Sequence, residues 1–193
     1  MAEFQLETAR LILRDWREKD WAEFFRVTGT PAVMRWLGQS PDAHGQAQVR
    51  TRVENSAARL GHCFWVVERK PDGGHLAGKL LGFCGLKRAD APGSPIAGEF
   101  EIGWRLREEA WGHGYAKEAA IASLNAGFGR FGAEQIFAIT VIENEASWGL
   151  MKRLGMRRRE DLDYADSRYE PPLRDTIVYS IARAEWAERA ADA

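Results

Sequence analysis

The stretch Gly98–Tyr115 constrains the fold of this chain more than any other part of it. Its sequence is GEFEIGWRLREEAWGHGY, and the apolar and polar residues that alternate in its first half predict a strand over residues 99–106. Gly112 and Gly114 predict a loop in its second half, and small or apolar residues at helical spacing follow. A glycine loop that opens a helix presents backbone N–H groups and the positive end of a helix dipole. The stretch therefore predicts a site for a phosphate or another anion.

The remainder of the chain predicts one mixed sheet with helices around it. Seven strands are expected, over residues 5–14, 62–68, 80–87, 99–106, 135–142, 157–164 and 175–182. Helices are expected over residues 21–27, 31–37, 43–60, 116–128 and 144–154, with a polar helical tail over residues 183–193. Hairpins and strand–helix–strand units both occur in this order, which gives an α/β or α+β fold class. No linker or internal repeat is visible, so residues 1–193 are predicted to form a single domain with a core over about residues 6–182.

Residues that favour helix N-termini precede three of these helices. Asp20 is available as the N-cap of the first helix, and Thr30 followed by Pro31 marks the start of the second. Asn144 can cap the helix that follows the strand at residues 135–142.

Composition narrows the function classes. The chain has 45% hydrophobic and 28% charged residues, as ordinary soluble globular proteins do. With 27 basic and 28 acidic residues its net charge is −1, which gives no reason to expect a nucleic acid or a membrane as partner. No apolar run approaches the roughly 18 to 20 residues that span a bilayer, and the N-terminus lacks the pattern of a signal peptide. We therefore expect a cytoplasmic protein.

Cysteine and histidine give no sign of a disulfide or a metal site. Cys63 and Cys84 lie in separate apolar runs without a CxxC pattern, so two buried, reduced thiols are expected. The four histidines are scattered with no i, i+4 pair, so no metal is expected. Cys84 stays open as an acylated nucleophile, although it has no base partner near it in the sequence.

The glycine loop departs from two common phosphate-binding motifs. A dinucleotide-binding fingerprint requires a third glycine three residues after the second, and this chain has Lys117 there. A P-loop requires Gly-Lys followed by Ser or Thr, which is absent. A lone Gly-x-Gly is equally compatible with a plain structural turn, so the neighbouring residues decide its interpretation.

Three motifs in the chain resemble those of one acyltransferase superfamily. Trp111–Ala119, WGHGYAKEA, closely resembles the acyl-CoA pyrophosphate loop of the GNAT acetyltransferases, especially the RimJ/RimL-like ribosomal-protein alanine N-acetyltransferases. Leu6–Arg14, LETARLILR, resembles the opening Leu-x-Thr-x-Arg-Leu-x-Leu-Arg of that branch. Asn144 and Ser147, followed by Leu154–Met156, resemble its Asn-x-x-Ser and Leu-Gly-Met motifs. The resemblance spans roughly residues 6–181.

The resemblance implies a sheet geometry and a co-substrate. The sheet is mixed, mostly antiparallel and seven-stranded, and it splays beside the strand at residues 99–106, where acetyl-CoA is held. Gly112 and Gly114 let the backbone approach the pyrophosphate without a Cβ in the way. The residues implied to bind acetyl-CoA are Trp104, Arg105, Leu106, Trp111, Gly112, His113, Gly114, Tyr115, Ala116, Lys117, Asn144 and Ser147.

One departure from the superfamily pattern lies just before the loop. Many members have Gln or Arg three residues before the first glycine, but this chain has Glu109 there, preceded by Glu108. Two carboxylates aimed at a pyrophosphate would repel it, so we expect both side chains to face away from the anion site.

Acetyl transfer to an amine needs a neutral nucleophile, so a base must remove a proton from the ammonium group. Glu99 and Glu101 alternate along the predicted strand and are expected on one face of it. The resemblance points to Glu101 as the base, with Glu99 as the other candidate, and to Ser147 as the proton donor to the CoA thiolate. A main-chain N–H at Trp104 or Arg105 is placed to stabilise the oxyanion.

The acceptor is less defined by the sequence. By resemblance, Trp16, Trp36 and Glu99 belong to the region around it. A primary amine is expected, either a protein N-terminus or a small molecule such as a polyamine, an amino acid or an aminoglycoside. A non-catalytic acyl-CoA-binding module is the alternative outside the enzymes. Homodimers are common in this branch, so the resemblance also allows a homodimer.

Overall fold

The computed structural model describes residues 4–191. Its strands are β1 (Gln5–Glu7), β2 (Leu11–Arg14), β3 (Phe64–Arg69), β4 (Leu80–Arg88), β5 (Phe100–Leu106), β6 (Gln135–Val141), β7 (Arg157–Arg158), β8 (Tyr164–Ala165) and β9 (Asp175–Ala182). Its α-helices are α1 (Asp20–Thr28), α2 (Pro31–Met34), α3 (Ala43–Leu60), α4 (Tyr115–Gly129), α5 (Glu145–Arg153) and α6 (Arg183–Ala191). The last two residues of the predicted helical tail lie outside the described residues. Within residues 4–191, none of the helices combines the length and the apolar character needed to cross a bilayer.

The strands form one mixed sheet in the order β1-β2-β3-β4-β5-β6-β9-β7, with β8 also paired to β9. The pairs from β1 to β4 are antiparallel, and so are the pairs that β9 makes with β6, β7 and β8. β5 and β6 run parallel, with Phe100 opposite Ile136 and Glu101 opposite Phe137. A parallel pair needs a long crossover, and α4 supplies it. The predicted α/β class with a mostly antiparallel sheet is confirmed.

The sheet has nine strands within the described residues, so the prediction of seven was wrong. The first predicted strand is divided into β1 and β2 because Thr8 Oγ1 and the Arg10 N–H turn to the Glu118 carboxylate. The sixth is divided into β7 and β8 by a 3-10 turn at Glu160–Leu162. In both places hydrogen bonds outside the sheet replace the strand ladder that the alternating residues favour.

The described chain divides into two compact units. The first comprises the chain up to Gly85 together with Gly103–Ser123, and the second comprises Leu86–Ile102 together with the chain from Leu124 onward. β4, β5 and α4 each contribute residues to both units. The organisation as a single domain stays a prediction.

In the first unit, the start of α1 differs from the prediction. Asp20 is the first residue of the helix rather than its N-cap, which is Lys19. The Asp20 carboxylate, 4% exposed, accepts hydrogen bonds from the Arg14 guanidinium at 2.7 and 3.0 Å and from the Arg17 N–H at 2.7 Å. Arg14 is also buried and pairs with Glu68 at 2.8 Å. Burial opposes the ionisation of Asp20, yet the Arg14 guanidinium lowers the pKa of this carboxyl below its usual value.

The next two helices begin and end as their sequences indicate. The Val33 N–H donates to Thr30 Oγ1 at 3.4 Å, which confirms Thr30 as the N-cap of α2. Asp42 caps α3 by accepting from the Gly45 N–H at 2.8 Å. Gly61 ends α3 with a φ of 72°, the left-handed conformation that glycine adopts without strain.

In the second unit, a glycine allows α4 to approach the sheet closely. A Cβ on Gly127 would lie 2.6 Å from Ile136 Cδ1 and 2.9 Å from Leu86 Cδ1. Ile136 is fully buried on β6, and so is Leu86 on β4. Gly127 belongs to the small-residue face predicted for this helix. Because it has no side chain, Ile136 and Leu86 can pack directly against the helix backbone.

Replacing Asp20 with asparagine tests the buried ion pair of the first unit. The variant keeps the shape of the side chain but leaves Arg14 without its full counter-charge, so we expect a loss of about 3 kcal/mol in the free energy of unfolding near neutral pH. Because the folded-state pKa of Asp20 is lowered, its contribution is fully present above the unfolded pKa of about 3.9 and is lost as the pH falls through the folded pKa.

Urea denaturation of both proteins from neutral to strongly acidic pH measures the effect. The difference between the wild type and Asp20→Asn should shrink below about pH 4. A difference that stays constant across this range would contradict the electrostatic explanation.

Candidate active site

The glycine loop of the first unit is an exposed turn that leads directly into α4. Residues 111–114 are all exposed, and α4 begins at Tyr115. Gly112 and Gly114 have φ values of 77° and 78°, which other residues rarely adopt. A Cβ on Gly112 would meet nothing within 4 Å, so its backbone is open to a ligand. The first-turn N–H groups of an α-helix have no intrahelical partner, so this loop is the candidate for the anion site expected from the sequence.

The carboxylate of Glu118 fixes the first turn of α4 to the N-terminal segment. Glu118 Oε1 accepts hydrogen bonds from Thr8 Oγ1 at 2.6 Å and from the Arg10 N–H at 2.8 Å, and Arg10 Nε donates to Oε2 at 2.7 Å. Arg10 Nη1 also donates to the His113 carbonyl, at 3.0 Å. These contacts hold Glu118 ionised, because although burial opposes it, the bonds from Thr8 and Arg10 lower the pKa of this carboxyl. These hydrogen bonds thus join two motifs that lie about one hundred residues apart in the sequence.

Tyr115 supports the same loop through its buried side chain. Its ring is 2% exposed, and its hydroxyl donates to the His75 carbonyl at 3.0 Å and accepts from Arg69 Nε at 3.3 Å. The imidazole ring of His113 stacks on that of His75 with the centroids 3.9 Å apart. The Tyr115 side chain therefore acts as a support for the loop.

The two glutamates before the loop are engaged elsewhere, as expected. Glu108 accepts a hydrogen bond from Thr30 Oγ1, at the N-terminus of α2. Glu109 accepts from Arg107 Nη2 at 2.7 Å, and these bonds lower the pKa of Glu109 to about 2. Arg107 thus compensates a negative charge that would otherwise act on an anion bound at the loop.

Three of the predicted ligands of acetyl-CoA lie at the end of β5, and they differ in their availability. Arg105 donates to the Thr28 carbonyl at 2.7 and 3.2 Å, and burial lowers the pKa of its guanidinium to about 10. The Leu106 side chain is buried, and its carbonyl accepts from Trp111 Nε1 at 3.0 Å. Trp104 is partly exposed. Arg105 and Leu106 can therefore contact a ligand through their main chains rather than through their side chains.

The other loop residues are accessible. The ring of Trp111 is 49% exposed, although its indole N–H is bonded to the chain. Lys117 is exposed in the first turn of α4, and Ala116 beside it is partly buried. Lys117 can thus add a positive charge next to the glycine loop.

In the second unit, the two candidate bases have different surroundings. Glu99 precedes β5 and is exposed, whereas Glu101 lies within β5 and is 6% exposed. Glu101 Oε2 lies 3.1 Å from Lys87 Nζ, and Lys87 Nζ donates to Asp90 Oδ1 at 2.6 Å. Burial raises the pKa of the Glu101 carboxyl above its usual value, although Lys87 acts in the opposite direction. A carboxyl with a raised pKa is a stronger base once it is ionised.

Asn144 and Ser147 meet at the start of α5, also in the second unit. The Ser147 N–H donates to Asn144 Oδ1 at 3.4 Å, which confirms Asn144 as the N-cap. Asn144 Nδ2 donates to Thr140 Oγ1 on β6 at 3.0 Å. The amide of Asn144 is thus held at both ends, and Ser147 is partly exposed beside it.

The tryptophans assigned to the acceptor region have structural contacts. Trp16 Nε1 donates to the Phe64 carbonyl at 2.7 Å, and its ring stacks on Trp21 with the centroids 3.9 Å apart. Trp36 lies just beyond α2 and is partly buried beneath the Arg35 guanidinium, which is 4.6 Å from its ring centroid. Neither contact identifies a substrate, so both residues remain proposals.

Both cysteines are buried, and they do not form a disulfide. Cys84 Sγ lies 3.6 Å from Ser123 Oγ, and burial raises the pKa of this thiol to about 12. A thiol with so high a pKa is a poor nucleophile, which argues against Cys84 as an acylated residue. Among residues 4–191, no three His, Cys, Asp or Glu residues are grouped in a way that could hold a metal ion.

A family model described as the acetyltransferase (GNAT) domain matches residues 10–157. The chain belongs to the GNAT acetyltransferase family. It is similar to an uncharacterized N-acetyltransferase of Bacillus subtilis (strain 168), YnaD, with 30% identity over 157 residues, 79% of this chain and 82% of that protein. Membership of this family supports an acetyl-CoA-dependent acetyltransferase, which favours the enzyme over the non-catalytic module.

Solved GNAT structures share the fold. The acetyltransferase from Agrobacterium tumefaciens str. C58 is similar with a TM-score of 0.74 and 22% identity, over 94% of this chain and 95% of that one. The spermidine N-acetyltransferase from Vibrio cholerae, solved in complex with CoA and spermine, is similar with a TM-score of 0.72 and 14% identity, over 93% of this chain and 99% of that one. At these identities the likeness concerns the fold alone.

Several supporting residues of this GNAT protein were not identified from its sequence. Glu118 and Arg10 lie inside recognised motifs, so the motifs themselves carried a signal for them. His75 lies in a turn-rich segment, and Lys87 ends a predicted strand, where a solvated lysine is unremarkable. Their roles depend on contacts between distant parts of the chain.

Replacing Glu118 with glutamine tests its role in holding the loop. The amide keeps one acceptor oxygen but loses the charge that pairs with Arg10, so we expect a loss of about 1–3 kcal/mol in stability. We also expect faster amide hydrogen exchange over residues 112–117. Glu145→Gln is the matched control, because Glu145 is likewise an acidic residue in the first turn of a helix and is exposed. Equal exchange in the two variants would show that Glu118 does not fix the loop.

Proposed function

We propose that this enzyme transfers the acetyl group of acetyl-CoA to a primary amine, that it belongs to the RimJ/RimL-like branch, and that a protein N-terminal α-amine is its acceptor. The observation that carries the proposal is the bonding of Glu118 to Thr8 and Arg10. It joins the WGHGYAKEA loop to the opening LETARLILR segment, two motifs by which the chain resembles that branch.

In this proposal the glycine loop is the anchor for acetyl-CoA. The backbone N–H groups around Gly112 and Gly114 hold the pyrophosphate, and Lys117 adds a positive charge. The pairing of Glu109 with Arg107 supports this role, because it removes the charge conflict beside the loop.

The chemistry is direct attack without an acyl-enzyme. The acceptor loses a proton to the Glu101 carboxylate, its nitrogen forms a bond to the thioester carbon, and the C–S bond breaks. As the C–S bond breaks, Ser147 gives its hydroxyl proton to the CoA thiolate and takes up the second proton of the attacking nitrogen, so that a neutral amide and CoA are formed. The main-chain N–H of Trp104 or Arg105 stabilises the oxyanion. An α-amine, with a reference pKa near 7.7–8.0, is easier to deprotonate than a lysine amine near 10.4, which favours an N-terminal acceptor.

Thiol release from acetyl-CoA tests the acceptor. The panel contains peptides with free N-termini, the same peptides with blocked N-termini, polyamines, free amino acids and aminoglycosides. We expect CoA release with the free N-terminal peptides. Release with a small amine alone would overturn the N-terminal assignment while leaving the acetyltransferase activity in place.

Replacing Glu101 with glutamine tests the base. We expect the rate to fall by about 10²- to 10⁴-fold. The fall should be largest at low pH, where most of the acceptor is protonated, and the affinity for acetyl-CoA should not change. Glu99→Gln is measured in parallel, and a loss of rate in that variant alone would assign the role to Glu99 instead.

Replacing Gly112 with valine tests the phosphate anchor. Gly132→Val is the matched control, because Gly132 has a φ of 69° and, like Gly112, has open space around the position of a Cβ. Both variants carry the same backbone strain, but only Gly112→Val should bind acetyl-CoA more weakly. Isothermal titration measures the affinity, and an equal loss in both variants would refute the anchor.

Three further expectations remain predictions. They are the cytoplasmic location, the organisation as a single domain and the homodimer.

A further inference from the structure

The carboxylate proposed as the base is buried beside a lysine of the same unit. Glu101 is 6% exposed on β5, and the Lys87 ammonium at the end of β4 lies 3.1 Å from its Oε2. The Lys87 side chain is itself 21% exposed and is shared with Asp90, whose Oδ1 lies at 2.6 Å. Glu101, Lys87 and Asp90 thus form one charged cluster with two carboxylates and one ammonium.

A buried carboxylate without a partner stays protonated at pH values well above its usual pKa, because burial penalises the charged form. A protonated carboxyl cannot take a proton from an acceptor amine, so burial alone would prevent Glu101 from acting as a base. Burial does raise the pKa of Glu101, and the Lys87 ammonium limits that rise. The carboxylates of Glu101 and Asp90 in turn raise the pKa of Lys87 although burial opposes them, so Lys87 stays charged.

We propose that Lys87 is a positioning residue of the transfer reaction, whose ammonium group holds the Glu101 carboxylate ionised and oriented and so sets the pH at which the base becomes active. The proposal rests on the proposed function, in which Glu101 is the base. Asp90 completes the arrangement, because it remains as the partner of Lys87 during the interval when Glu101 carries the proton of the acceptor.

Other charged groups face Glu101 from neighbouring segments. Arg168, between β8 and β9, also favours the ionised form, but its own charge is compensated by Asp166 at 2.6 Å. Tyr164 of β8 stays neutral, because burial raises the pKa of its hydroxyl. Lys87, at 3.1 Å, is therefore the positive group paired directly with the Glu101 carboxylate in this cluster.

Replacing Lys87 with methionine tests the proposal through the pH profile. Loss of an opposite charge this close should move the acidic limb of kcat/KM upward by roughly one to three pH units, with the rate recovering at alkaline pH. Lys87→Arg keeps the charge and should restore the wild-type limb. Asp90→Asn should move the acidic limb slightly to lower pH. It removes a negative charge near Glu101, and Lys87 then pairs with the Glu101 carboxylate only.

Lys70→Met is the matched control. The Lys70 side chain is 26% exposed and pairs with the Glu7 carboxylate at 3.0 Å, but that carboxylate is 55% exposed rather than buried. This variant should leave the pH profile unchanged. A uniform loss of rate at every pH in Lys87→Met would indicate a structural role and overturn the proposal.

A second readout does not depend on turnover. Carbon-13 NMR of labelled glutamate follows the titration of the Glu101 carboxyl in the free protein, with Glu101→Gln assigning the signal. We expect the midpoint to rise in Lys87→Met and to fall in Asp90→Asn. An unchanged midpoint would overturn the role of Lys87 even in a fully active enzyme.

The two readouts separate the two proposals. If the Glu101 midpoint moves but the rate profile does not follow, Glu101 is not the base, and the proposed function fails at that step. If Lys87→Met does not fold, two other variants still decide the outcome. They are Asp90→Asn, in which the Glu101 midpoint should fall, and Lys87→Arg, which should keep the wild-type acidic limb. An Asp90→Asn midpoint that does not fall would count against the proposal.

Discussion

Three hydrogen bonds converge on one carboxylate, that of Glu118, and much of the first unit depends on them. They end β1, direct the chain into β2 and fix the first turn of α4. Arg10, which provides two of the three, also holds the His113 carbonyl, so its side chain defines the position of the glycine loop. A loop without internal secondary structure thereby gains a fixed shape, which a backbone anion site requires because its N–H groups must point in one direction.

Charges around the two candidate centres are compensated in different ways. Near the glycine loop, Arg107 pairs with the charge of Glu109 and a threonine hydroxyl donates a hydrogen bond to Glu108, and water also screens these two exposed carboxylates. At Glu101 the compensation is buried, and there a single ammonium group has a much larger effect because the surroundings screen it less. The first arrangement removes a charge conflict beside the candidate anion site, and the second adjusts the proton affinity of the candidate base.

The sequence predicted those features that depend on local pattern. The bounds of α3, the caps at Thr30 and Asn144, and the glycine turn all follow from residues within a few positions of one another. It failed where a residue of one element interacts with a residue of another, since Arg14 of β2 draws the Asp20 carboxylate of α1 away from its expected capping role. The pairing of Lys87 with Glu101 belongs to the same class, because it brings together the ends of separate strands.

The carbonyl of His75 accepts the hydroxyl of Tyr115, so the connection between β3 and β4 is attached to the start of α4. Such a turn-rich, polar connection would ordinarily be chosen for an inserted epitope tag or a shortened linker. Here its length is tied to the residue that supports the glycine loop. An insertion in this connection would therefore disturb the support of the glycine loop, and an engineer should place insertions elsewhere.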